Sequence, residues 1–171
     1  MEGENLVSVH NQYDIFLASP ISSFGSASQY IDDRYNTLQL IGILEDKVGT
    51  VFYAGRNLPD KENLDGDQEV TKDFEAIRNC DYFIMCYPEK STSSVLVEAG
   101  YALALDKFSI YIVRDLSDLP FLLQFAIRSF KNVLAYESES IEESAVFIER
   151  EIFLNRESSG NRPPYRDKIM K

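Results

Sequence analysis

The sequence predicts an α/β domain built on a doubly wound, five-stranded parallel sheet, and three observations carry that expectation. Short apolar segments alternate with segments of helical character five times along the chain. The strand-like segments are rich in Ile, Val, Phe and Tyr and show no polar face, as expected of strands covered by helices on both sides. At 171 residues the chain has the size of one domain with one core. Right-handed crossovers then favour the strand order 2-1-3-4-5.

The elements follow in order. "YDIFLAS" (13–19) is the first strand, 27–46 the first helix, and "GTVFYAG" (49–55) the second strand. A polar stretch with Pro59 and Gly66, 56–67, reads as an exposed loop before a helix at 67–79. "DYFIMCY" (81–87) is the third strand, and "SVLVEAGYALALD" (94–106) the helix after it. "FSIYIVR" (108–114), a helix at 119–129, the weaker strand "KNVLAY" (131–136) and a helix at 139–154 complete the series. Residues 13–155 thus form the expected domain, with an extension at 1–12 and a basic tail at 156–171 that carries Arg156, Arg162, Arg166, Lys168 and Lys171.

Composition narrows the partners. A formal net charge of −11 opposes binding to a nucleic-acid backbone, which needs clustered Lys and Arg. No apolar run reaches the roughly 20 residues that span a bilayer, and "MEGENLVSVHNQ" lacks a basic region followed by an apolar one, so the expectation is a cytoplasmic protein without membrane contact. Cys80 and Cys86 flank one buried strand as small hydrophobes, and His10 has no ligand partner nearby in sequence. Neither a disulfide nor a metal site is expected, and no cofactor is implied.

In the order 2-1-3-4-5 a crevice opens at the carboxyl ends of the first and third strands, where ligands bind. Two loops line it: "SPISSFGSAS" (19–28), which begins with Ser19, Pro20, Ile21 and Ser22, and "PEKSTSS" (88–94), which ends with Thr92, Ser93 and Ser94. Their hydroxyls and small residues suit the approach of a sugar or phosphate. Glu98 follows in the next helix among Val95, Leu96, Val97, Ala99 and Ala102, which would exclude water and strengthen its action on developing positive charge. Such a carboxylate would equally favour the positive end of the helix dipole. Arg56 and Arg114 lie at the carboxyl edge, where they can hold a phosphate or pair with surface acids.

"YDIFLASPIS", "DFEAIRNCDYFIMCYP" and "STSSVLVEAGYALALDKFSIYIV" together resemble the nucleoside 2-deoxyribosyltransferase family, which includes nucleoside 5'-monophosphate N-glycosidases. The matching pattern is a small-residue loop (Ser93, Ser94), then Glu98, Ala99 and Gly100, then a helix with Ala102 and Ala104. The resemblance implies a flavodoxin-like fold in which Glu98 attacks C1' of the sugar as the base departs, with hydrolysis or transfer as the outcome. The transition state is oxocarbenium-like, and a carboxylate beneath it gives electrostatic stabilisation or a covalent intermediate.

The resemblance also implies that Asp73 contacts the leaving base and can protonate it; an exposed helix residue is the other reading. Phe16 stands where family members often carry a Tyr that bonds the nucleophile, and Thr92 where they carry a second loop acid; Tyr87 or Glu89 are candidate substitutes. The implied ligand is a nucleoside, nucleotide or NAD. A more distant resemblance to TIR domains keeps an NAD glycohydrolase open, as does a non-catalytic nucleotide-sensing module with the same fold. The apolar segment "DLPFLLQFAIRSF" (118–130) calls either for burial between layers or for self-association, and family members are commonly oligomeric.

Overall fold

Strands that are apolar on both faces must be covered on both faces, and that requirement orders this chain. A computed structural model describes residues 13–20, 27–57 and 66–158. The strands are β1 (Ile15–Ala18), β2 (Val51–Phe52), β3 (Tyr82–Tyr87), β4 (Phe108–Val113) and β5 (Val133–Glu137). They alternate with α1 (Ala27–Lys47), α2 (Gly66–Asn79), α3 (Val95–Ala104), α4 (Phe121–Ser129) and α5 (Ile141–Ser158). All pairings are parallel and the order is β2-β1-β3-β4-β5, the flavodoxin-like arrangement expected from the sequence.

Because strand side chains alternate, the sheet sorts its residues into two cores. Phe16, Ala18, Phe83, Met85, Tyr111 and Val113 face α2, α3 and α4. Ile15, Leu17, Ile84, Ile110 and Ile112 face α1 and α5, which supply Leu40, Leu44, Ile148 and Ile152. The register sets Phe16 beside Phe83 and Met85 beside Tyr111. No helix among the described residues is long and apolar enough to cross a membrane.

Three expectations shift. The second strand shrinks from seven residues to Val51–Phe52, because the chain turns into a 3-10 helix at Ala54–Asn57. Helix α5 runs on to Ser158, past its expected end at 154. Arg156, read from the sequence as the start of the basic tail, belongs to that helix: its guanidinium lies 5.4 Å over the Tyr82 ring and donates to the Val48 carbonyl. Burial of α4 within the monomer is not what the structure shows. Only Leu123 and Ala126 are buried, while Phe121 and Leu122 are 70% and 78% exposed. The extension at 1–12 with His10, the loop from 58 to 65 and the tail beyond 158 lie outside the described residues.

At the amino edge of the sheet, Asp14 accepts hydrogen bonds from the Thr50 amide (2.7 Å) and hydroxyl (2.9 Å). Gly49 makes this possible. Its φ is +155°, and a Cβ there would collide with the Asp14 carboxylate. Gly49→Ala is therefore expected to destabilise the fold by at least about 1–2 kcal/mol, read as a lower urea midpoint at unchanged slope.

Candidate functional site

The residues between β3 and α3 are held by one phenol. Tyr87, 1% exposed at the end of β3, donates its hydroxyl to the Ser91 carbonyl and accepts from the Ser91 amide at 2.8 Å. One side chain thus fixes both polar groups of a loop residue. Helix α3 then starts on the carbonyls of Ser93 and Ser94, which receive the amides of Leu96, Val97 and Glu98.

Val95, Glu98, Ala99 and Ala102 share the helical spacing of one stripe, and all four are buried. Glu98 is therefore on the inward face, with 9% of its surface exposed. Its carboxyl is pushed up to about 7, first by burial and then by the charge of Asp73, against a hydrogen bond from the Ser94 hydroxyl. Ser94 makes no backbone capping bond with its side chain. It serves the carboxylate four residues ahead instead.

Asp73 comes from the neighbouring helix, α2. Stacking of Phe74 on Tyr101 at 4.6 Å and a bond from the Arg78 guanidinium to the Tyr101 hydroxyl at 2.9 Å fix α2 against α3. The Lys107 ammonium adds bonds to the carbonyls of Arg78 and Cys80. Asp73 is half-buried, and its carboxyl is raised to about 6 by burial and by Glu69, partly offset by Lys72. Its Oδ1 is buried and has no hydrogen-bond partner among the described residues, as is true of the Ser91 hydroxyl. Buried polar atoms of this kind are rare and await a donor. The exposed-residue reading of Asp73 does not fit that burial.

The other candidate residues divide. Ser19 is buried at the end of β1, with its hydroxyl 3.2 Å from that of Thr37, and Pro20 is buried beside it. Ile21 and Ser22 lie outside the described residues. Ser93 is half-buried with its hydroxyl toward the Val95 amide, while Thr92 is exposed. Phe16 is in the core, 1% exposed, its ring stacked between Phe52 at 5.2 Å and Phe83 at 5.7 Å. Arg56 grips Glu45 with two bonds, at 2.8 and 3.3 Å, and Arg114 lies 3.0 Å from Glu139. Both guanidiniums are thus held by carboxylates, the alternative left open by their positions in the sequence.

The sequence reading missed the Tyr87 clamp and the buried Ser91 hydroxyl. A Tyr ending a strand four residues before a Ser was the available signal. Cys80 and Cys86 are free thiols, and among the described residues no cluster of His, Cys, Asp and Glu has the form of a metal site.

No family model matches the chain, and no curated protein does. Solved structures do. The CMP N-glycosidase BcmB of Clostridium botulinum is 21% identical, with a TM-score of 0.60 over 80% of this chain and 98% of that one. BlsM is 20% identical, with a TM-score of 0.64 over 91% of this chain and 98% of that one. Identities this low establish a shared fold. A 2-deoxyribosyltransferase from Leishmania mexicana overlaps 59% of this chain at a TM-score of 0.44, too low to argue from.

Burial of Glu98 has a signed consequence. Below pH 4.5 the carboxyl is neutral folded or unfolded; between 4.5 and about 7 only the unfolded chain ionises, so stability falls as pH rises. Above 7 the loss levels off, on the order of 3 kcal/mol. Glu98→Gln removes this loss. Urea unfolding should show the variant gaining on the parent as pH rises from 5 to 8; a difference independent of pH would refute the buried carboxylate.

Proposed function

We propose that the chain cleaves or transfers the N-glycosidic bond of a nucleoside or nucleotide, with Glu98 as nucleophile at C1' and Asp73 as proton donor to the departing base. The observation that carries this reading is the pair itself: a buried carboxyl on α3 and a half-buried one on α2, both raised, with the charge of Asp73 acting on Glu98. The shared fold with a CMP N-glycosidase supports it.

The chemistry follows from the positions. The Glu98 carboxylate faces the anomeric carbon as the C1'–N bond lengthens and positive charge gathers on the sugar. A bond from Oε to C1' forms, the electrons of the C1'–N bond pass to the base, and the Asp73 proton neutralises the leaving nitrogen. Water then releases the sugar, or a second base takes it up. In either case Glu98 must start ionised and Asp73 protonated.

Those requirements oppose each other on the pH axis. Glu98 titrates near 7 and Asp73 near 6, and their charges interact, so the profile belongs to the pair. The expected dependence of kcat/KM is a bell centred between pH 6 and 7. Nucleosides, their monophosphates and NAD, each with and without an acceptor base, are incubated with the protein and free base is followed by chromatography. Glu98→Gln should abolish release, and Asp73→Asn should slow it roughly 100-fold while flattening one limb of the bell. Release that survives Glu98→Gln would remove Glu98 as nucleophile; binding without release from any substrate would leave a nucleotide-binding module.

Self-association belongs to the same reading. Phe121, Leu122 and Phe125 form an exposed apolar face on α4, and covering it with a second copy of the chain would remove it from water. Sedimentation velocity should show a dimer or larger species that Leu122→Glu converts to monomer, whereas a monomeric parent protein would count against the assembly.

A further inference from the structure

Glu98 and Asp73 are each preceded, one helical turn earlier, by a polar residue, and the two residues have opposite chemistry. Side chains four apart on a helix lie one above the other on the same face. Before Glu98 on α3 stands Ser94, a hydroxyl donor; before Asp73 on α2 stands Glu69, an acid. Ser94 is aimed by its backbone. A capping serine takes an extended conformation and spends its oxygen on an amide of the first turn, but Ser94 is already helical, at φ −57° and ψ −26°, and makes no such bond. Ser93 turns its hydroxyl to the Val95 amide at 3.4 Å. The Ser94 hydroxyl is left to donate to the Glu98 carboxylate, which favours the charged form.

Asp73 has the reverse surroundings. Nothing among the described residues donates to its buried Oδ1, so an ionised carboxylate there lacks a donor that it needs. Glu69 repels that charge. It also draws Lys72 to itself at 2.9 Å, a bridge that competes with the attraction between Lys72 and Asp73. Other groups on the packed elements are engaged elsewhere or uncharged: Arg78 bonds the Tyr101 hydroxyl, the Tyr87 phenol bonds Ser91, and the strands beneath present Phe16, Ala18 and Met85.

We propose that Ser94 and Glu69 are positioning residues: together they place the one proton that the two acids retain near neutral pH on Asp73 and keep it off Glu98. On the reading of Glu98 as nucleophile and Asp73 as proton donor, on which this rests, that is the productive arrangement. Burial works the other way, because Glu98 is the more deeply buried acid and burial favours the neutral form. The two neighbours supply the opposing bias, one by stabilising charge on Glu98 and the other by destabilising it on Asp73. Removing either should therefore move the proton toward Glu98.

The test is an NMR titration of the full chain with carbon-labelled Asp and Glu side chains, in which Glu98→Gln and Asp73→Asn identify the two carboxyl signals. Ser94→Ala should raise the Glu98 midpoint and Glu69→Gln should lower the Asp73 midpoint, each by roughly half a pH unit or more. Ser94→Thr, which keeps the hydroxyl, should leave Glu98 at the parent value. A Glu98 midpoint that stays or falls in Ser94→Ala, or rises as much in Ser94→Thr, would overturn the role of Ser94; an Asp73 midpoint that stays or rises in Glu69→Gln would overturn that of Glu69. Midpoints are read without substrate, so the two readings separate. Shifts as expected with no base released from any substrate remove the glycosidase alone, whereas base release with unmoved midpoints removes the positioning roles alone.

Discussion

A carboxylate taken out of water raises the free energy of the fold unless its surroundings compensate, and the region from Tyr87 to Ala102 is organised around that fact. Glu98 occupies the buried stripe of α3, where an apolar residue would pack at no such cost. Compensation is partial. The Ser94 hydroxyl supports the charged form, whereas burial and Asp73 work against it. Perturbed carboxyls on adjacent helices are the basis of the proposed chemistry.

Such a pair acts only if its geometry is held. The phenol of Tyr87 does this on one side, binding both the amide and the carbonyl of Ser91 so that the loop enters α3 in one conformation. Arg78, Phe74 and Tyr101 do it on the other, locking α2 to α3. The acids themselves sit on helices, which vary less in position than loops. In the proposed reaction, preorganisation of this kind is most of what the protein would offer to charge developing on the sugar.

The topology was legible because it depends on period. Strands that are apolar on both faces and alternate with helices leave few arrangements, and the observed order is the one those rules select. Glu98 was legible as a charge where periodicity demands an apolar residue. What escaped depends on partners distant in sequence. Nothing near Arg56 announces that Glu45 will hold it, nor does the pattern of α4 say that Phe121 and Leu122 lie outside the core. Phe16 was read from its position in a motif as standing where a Tyr would bond the nucleophile, but its ring is enclosed by Phe52 and Phe83, which only the register brings beside it.

The knot of Asp14, Gly49 and Thr50, with Arg156 3.9 Å from the Asp14 carboxylate, gathers the start of β1, the approach to β2 and the end of α5 at the amino edge. Glu98, in the first turn of α3, follows the end of β3 at the opposite edge. On the proposed reading, a substitution in the serine loop acts on recognition at one edge and a change in the clasp acts on stability at the other. On that reading, the rim is free to vary with the ligand while the scaffold stays under separate constraint.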